Sequence, residues 1–415
     1  MHVLITAVGK RTEHWIELFA ALCERPGVVL TVLVADVSEV TRKELARLAD
    51  RHPRLRYRYH VVPYLLGEDG TGHMASVLFR PSVGRLPVPR PDVVHIIGEA
   101  AYLTTWQTIR LCRRRWPGTP MTLYAAQNIV MRFPIPFPLL ERQAYRAVDH
   151  AFPITPAALE VLRVKGYPGA ATVVPLGVDQ AIFQPRPATA PAQRRFTAGF
   201  VGRLEPHKGV VDLLHAAELI DCDLLLVGEG SLQPAVRRAA QRRPGRIVLR
   251  GWAEHHHLPG LLADMDALVL PSVEVIQRNL LPWIGIPLRE QFGRVLVEAM
   301  ACGVPVVGSD LGEIRHVIGP AGLTFPAGDP AALADRLAQL RDCPDLAGEL
   351  SARGVVRVAE QFTWGRIANT MCGVWAELIG PGGPADSKPL QTVGRRSMTA
   401  TPNRPGPADR EAMTS

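Results

Sequence analysis

Short apolar runs alternate with helical stretches along both halves of the chain, and this alternation restricts the fold more than any other feature. Residues 3–7, 28–35, 93–97 and 121–125 read as strands: each is a nearly continuous apolar run too short for a buried helix. Stretches 11–23, 40–50, 101–115 and 139–148 carry helical spacing between or after them. Apolar strands alternating with helices predict a parallel sheet covered on both faces. Ligands of such sheets sit beyond the carboxyl ends of the strands, so loops 8–14 and 125–131 are where chemistry is expected in the first half.

Pro and Ala dominate from Gln184 to Gln193, and this marks a linker. A second alternation begins with strand 196–201, helix 210–220 and strand 224–227, and continues through 247–250 to helix 294–302 and strand 304–307. The expected organisation is a domain over 1–183, a linker over 184–195 and a second domain over 196–361. From residue 380 to 415 the composition turns to Pro, Gly, Ser, Thr and charge, and this tail reads as disordered.

With 415 residues the chain is long enough for two cores, and 47% hydrophobic with 21% charged residues fits a soluble globular protein. The start of the sequence shows no basic leader or cleavage site, and no run reaches membrane-spanning length, so a cytoplasmic location is expected. Six cysteines lack any Cys-x-x-Cys pair, which argues against a zinc site or disulfide framework. His255-His256-His257 reads as the start of a helix, because no partner ligands accompany it. The net charge of +8 rests on 47 basic residues of which five are lysine, with arginines spread throughout. Nucleic acid is not an expected partner; peripheral contact with an anionic membrane is the partner that the charge leaves open.

The most informative stretch runs from Glu290 to Asp310, E-Q-F-G-R-V-L-V-E-A-M-A-C-G-V-P-V-V-G-S-D. Its helix begins just after Phe292-Gly293, so unpaired backbone N–H groups at Arg294, Val295 and Leu296 and the positive dipole end offer an anion site that Gly293 leaves open. Glu290 and Glu298 flank that site. Two carboxylates beside an anion make sense when they accept hydrogen bonds from hydroxyls on either side of it, which is the layout of a nucleotide sugar. A lone Glu pair at this spacing would be a loop charge and a solvated helix position. A second anion device follows the strand 196–201: Gly202-Arg203-Leu-Glu-Pro-His-Lys208-Gly209, with two cations before a helix N-terminus. Gly228-Glu-Gly230 fails the dinucleotide fingerprint, which argues against a nicotinamide enzyme.

Glu-x-Phe-Gly, four residues, then Glu-Ala-Met-Ala-x-Gly-x-Pro-Val-Val resembles the donor-site signature of the retaining glycosyltransferases of family 4. The resemblance implies a GT-B fold: α/β, with two Rossmann-like doubly wound domains facing across a cleft. It implies transfer of a sugar from a nucleoside diphosphate donor, UDP-sugar favoured, to an acceptor hydroxyl with retention of configuration and without a metal or other cofactor. Arg203, Lys208 and Glu290 are then the catalytic residues, and Glu298, Phe292, Gly293, Arg294, Val295, Leu296, Gly202 and Gly251 hold the donor. Gly9, Lys10, Glu99, Gln127 and Asn128 fall on the acceptor side, where Gln127-Asn128 stand in place of the histidine many relatives carry, and His95 is a weaker candidate than Glu99. Pro175-Leu-Gly177-Val-Asp179 resembles the end of the family's first domain. Phe362-Thr363-Trp364 and the helix through 379 resemble its last helix, which crosses back onto that domain. The segment 273–288 departs from the family as an apolar insertion beside the site. An epimerase or hydrolase on sugar nucleotides, or a silent partner subunit, are the competing readings.

Overall fold

The computed structural model describes residues 1–8, 12, 15–35, 39–51, 57–62, 64–66, 77–131, 133–185, 195–278 and 285–380. Lys10, Gly9, Leu280, Trp283, most of the linker and the expected disordered tail from 381 lie outside them.

The first half runs β1 (His2–Val8), α1 (Ile16–Cys23), β2 (Val29–Ala35), α2 (Glu39–Arg51) and β3 (Tyr57–Val62), then a small antiparallel pair, β4 (Tyr64–Leu66) and β5 (Leu78–Phe79). It continues with β6 (Val93–Ile97), α3 (Leu103–Arg115), β7 (Met121–Ala125), α4 (Phe137–Ala147), β8 (His150–Pro153), α5 (Pro156–Val164) and β9 (Ala170–Ala171). Seven strands form one parallel sheet in the order β3-β2-β1-β6-β7-β8-β9. Every residue of β6, β7 and β8 is buried, which is why these strands read as continuous apolar runs instead of alternating ones.

The second half contains β10 (Thr197–Val201), α6 (Val210–Leu219), β11 (Asp223–Val227), α7 (Gln233–Arg242), β12 (Ile247–Leu249), α8 (Leu258–Ala263) and β13 (Ala267–Leu270). After these come β14 (Val275–Arg278), β15 (Gly285–Leu288), α9 (Arg294–Ala301), β16 (Val306–Ser309), α10 (Ile314–Ile318), β17 (Gly322–Phe325), α11 (Pro330–Asp342), α12 (Pro344–Gln361) and α13 (Trp364–Ile379). Its sheet is also parallel, in the order β12-β11-β10-β13-β16-β17, and the strand order reverses between β10 and β13. Ligands of open parallel sheets bind at such a reversal.

Several local expectations need correction. The first helix begins at Ile16 and not at Arg11. The described ends of the 273–288 segment are strands, β14 and β15, paired antiparallel with Val275 opposite Leu288; residues 279–284 lie outside the described residues. His255–His257, in contrast, form a 3-10 turn that runs directly into α8, the helix start expected of them.

Helix α13 packs on α1 of the first sheet, and its fully buried Trp375 donates from Nε1 to Thr122 Oγ1 on β7 at 3.2 Å. The chain thus passes between the two sheets twice, and the two passages touch. Val178 N–H donates to Phe362 O at 2.8 Å, Val178 bridges Thr363, and a Cβ on Gly177 would lie 2.6 Å from the Trp364 ring.

Candidate active site

The reversal of the second sheet brings together the loop after β10 and the loop after β13. Gly209 caps α6 at φ +66°, and a Cβ there would stand 1.7 Å from Pro271 O, so only glycine lets the two loops close on each other. That approach sets Lys208 beside Ser272 and the start of the 290 loop. Lys208 Nζ lies 2.5 Å from Glu290 Oε2, and Ser272 Oγ donates to the same oxygen at 3.1 Å. Burial alone would push the Glu290 carboxyl up, but the Lys208 charge, its hydrogen bond and the Ser272 hydroxyl outweigh it and hold the group below its ordinary value. The result is an ionised carboxylate and a cation side by side in a largely desolvated setting. Ser272 gave no sign of this role in the sequence beyond its place after a strand.

Helix α9 starts at Gly293, whose φ of +78° and a hypothetical Cβ 2.7 Å from Leu270 again require glycine. Phe292 and Leu296 are buried in the core, Phe292 edge-on to Phe362 with centroids 5.9 Å apart, so neither offers a side chain to a ligand; the Leu296 N–H, expected to be unpaired, donates to Gly293 O at 2.9 Å because the first turn closes on its cap. Arg203 is exposed just after β10; Gly202 follows β10 and Gly251 follows β12, the strands on either side of β11, and Gly251 O accepts from Gly228 N–H at 2.7 Å.

Glu298 is buried one turn inside α9. His255 Nε2 lies 2.8 Å from its Oε1, and Arg294 Nε is 2.8 Å from the same atom. The cluster reaches the first sheet's helices: Glu17 Oε1 on α1 is 3.2 Å from His255 Nδ1 and 3.4 Å from Arg294, and Trp364 Nε1 donates to Glu17 Oε2 at 2.5 Å. The Phe183 ring lies beside His255, centroids 4.9 Å apart and tilted by 51°. Burial works against a charged imidazole here, yet hydrogen bonds to Glu17 and Glu298 and the Glu298 charge raise His255 to about 9. Sequence reasoning passed over Glu17 and His255, because neither lies in the signature. The neighbouring Glu254, His256 and His257 bring donor atoms within 4.8 Å of one another, all exposed, which corrects the expectation that the His triplet has no partner ligand.

On the first sheet's side the expected acceptor residues do several different things. Asn128 Nδ2 donates to Glu290 O at 2.8 Å, so the carboxyl-end loops of the two sheets meet there. Glu99 Oε1 accepts from Ala126 N–H at 2.9 Å and so holds the loop after β7. Gln127 Oε1 accepts from Lys165 Nζ at 2.8 Å, and Lys165 also pairs with Glu141 at 2.7 Å. His95 is wholly buried against Phe152 and Trp375, with Nδ1 2.9 Å from Thr122 Oγ1, and burial lowers it to about 3, so it is a neutral part of the core. Thr12 Oγ1, Tyr124 OH and Gln127 Nε2 are buried without a hydrogen-bond partner among the described residues, which is unusual for polar atoms in a folded interior.

Two parallel α/β sheets whose carboxyl-end loops meet define the GT-B architecture, and solved structures agree. The chain aligns over 90% of its length with 99% of Anabaena HepE in complex with UDP and glucose, at TM-score 0.62 and 17% identity. A glycosyltransferase from Rickettsia africae gives TM-score 0.68 at 15% identity, covering 92% of this chain and 99% of that one. Residues 195–342 match the family described as glycosyl transferases group 1. The chain is 30% identical over 326 residues to D-inositol 3-phosphate glycosyltransferase of Thermobispora bispora, covering 70% of this chain and 71% of that protein. It is 35% identical over 195 residues to phosphatidyl-myo-inositol mannosyltransferase of Mycobacterium leprae, covering 45% and 48% of the two chains. The protein belongs to the group 1 glycosyltransferases.

Proposed function

We propose that this glycosyltransferase uses a nucleoside diphosphate sugar, with a uridine nucleotide favoured, and transfers the sugar to an acceptor hydroxyl with retention of configuration. The observation that carries the reading is the Lys208–Glu290 pair, a cation and a carboxylate 2.5 Å apart at the reversal of a parallel sheet, next to the N-terminus of α9. A sugar phosphate offers a partner to each: hydroxyls for the carboxylate, phosphate for the cation.

Glu290 accepts hydrogen bonds from the sugar hydroxyls. Lys208, Arg203 and the backbone N–H groups at Arg294 and Val295 meet the negative charge that grows on the departing diphosphate. Glu298 takes the ribose hydroxyls, and the loop after β12, at Gly251, flanks the base. The acceptor proton passes to a donor phosphate oxygen as the new bond forms on the face that the diphosphate leaves, a scheme that calls on neither a protein base nor a divalent ion. The unpartnered Thr12, Tyr124 and Gln127 atoms support an acceptor with several hydroxyls on the opposite side.

A panel of UDP-, GDP- and ADP-sugars assayed by diphosphate release tests the donor, and the configuration of the product tests retention. Diphosphate release with water as sole acceptor would point instead to a hydrolase. No turnover with any donor, while nucleotide still binds, would point to a silent subunit.

A further inference from the structure

The loop that leads from Asn128 into α4 has a composition and hydrogen bonding that the donor site does not explain. Val130, Ile135 and Leu139 are exposed by 47%, 83% and 51%, an apolar tip of three aliphatic side chains within ten residues. Prolines 134, 136 and 138 have no N–H, and the Phe137 and Leu139 N–H groups are already bonded to Pro134 O and Pro136 O at 3.0 Å each. From Pro134 to Leu139 the tip therefore has few backbone donors to lose on entering a medium that offers no hydrogen bonds, where each orphaned donor is costly.

The surface behind the tip is basic. Along α4 the exposed positions after Leu139 include Arg142 and Arg146, and the helix's one acid, Glu141, is turned inward onto Lys165. Helix α3, which packs beside α4, exposes Arg110, Arg113 and Arg114 and contains no acid at all. An apolar tip on the same pair of packed helices as five exposed arginines matches the interface of an anionic bilayer, with aliphatic groups at the acyl boundary and cations at the headgroups. No described helix is long and apolar enough to cross a membrane, so the contact is peripheral.

We propose that the α3–α4 face, led by Ile135 and Leu139, docks this enzyme on an anionic lipid surface. The tip begins two residues after Asn128, which touches the Glu290 loop, so docking sets the mouth of the sugar-transfer site against the headgroups. The inference does not depend on which donor is used.

Cosedimentation of the full chain with phosphatidylcholine vesicles, with and without phosphatidylglycerol, tests it. Binding is expected only with the anionic lipid and is expected to fall as salt rises. Ile135→Asp and Leu139→Asp should each reduce it, and Arg142→Glu with Arg146→Glu should cost roughly fivefold or more per position. All these positions are exposed, so unchanged melting of the variants checks folding. On brominated vesicles an Ile135→Trp variant should be quenched beyond the unsubstituted chain, because the tip enters the lipid. Failure of the unsubstituted chain to sediment would overturn the proposal. So would anionic binding that ignores Ile135→Asp and leaves Trp at 135 unquenched, since that is attraction of a polycation to any polyanion, nucleic acid included.

Discussion

Glu17 of α1 and Glu298 of α9, from the two halves of the chain, share one imidazole: His255 stands 3.2 Å from the first and 2.8 Å from the second. A folded His255 raised from 6.5 to about 9 binds its proton more tightly than in the unfolded chain. The stability it adds is thus complete below about pH 6.5 and is lost as pH rises toward 9. Glu17 is lowered, because its hydrogen bonds with His255 and Trp364 and the Arg294 and His255 charges outweigh burial, so its share is present above the ordinary glutamate range and is lost in acid. Melting temperature should therefore decline between pH 6.5 and 9. His255→Gln should flatten that decline, and an identical slope in the variant would remove the imidazole from the account.

Lys208→Ala should cost on the order of 2.7–4 kcal/mol of transition-state stabilisation, as loss of an oxyanion donor does. It also strips Glu290 of its counter-charge, and the carboxyl pKa should rise because burial is then opposed by little. The measured loss should appear in kcat with little change in acceptor KM. Near-normal turnover in a folded variant would contradict the role given to this lysine.

The two carboxylates separate by titration. Glu298→Gln should weaken both donor and free nucleoside diphosphate, since both carry the ribose. Glu290→Gln should leave the free nucleotide nearly unaffected and impair transfer. Calorimetry with the free diphosphate reads the difference, and equal losses would show that the ends of the site are reversed.

Glycines at positive φ should differ by what a methyl group meets. Gly27 has φ +75° with open space around it, so Gly27→Ala carries only backbone strain, about 1 kcal/mol. Gly209→Ala adds a collision with Pro271 O, a backbone atom that cannot turn aside, and should cost well beyond 1–3 kcal/mol in denaturant unfolding. Equal effects of the two would mean that the loops after β10 and β13 are not in close contact.

The strands were legible because a parallel strand covered on both faces is mostly apolar, as β6 and β7 are apart from the mutually bonded His95 and Thr122. The start of α9 was legible because Gly293 serves local geometry that the sequence prints in order. Contacts between distant segments leave no such local trace. Nothing in the run around Ser272 announces a bond to Glu290, and the surroundings of Glu17 do not mention His255. Gln127 and Glu99 were visible as polar residues at strand ends, but their present partners, Lys165 and the Ala126 N–H, depend on the tertiary packing of α5 and β7. The 275–288 hairpin was missed because proline and an apolar run disguised two short strands.

The contact of Val178 with Phe362 and Thr363, sealed by Gly177 under Trp364, makes the two passages of the chain a single matched joint. Recombination with a relative cannot then be cut at the linker alone. A chimera that takes its first sheet from elsewhere must import the terminal helix α13 along with it, because that helix is shaped to α1 and β7 and not to the sheet that precedes it in sequence. Modularity in this enzyme is discontinuous: the unit of exchange is residues 1–178 together with 362–379.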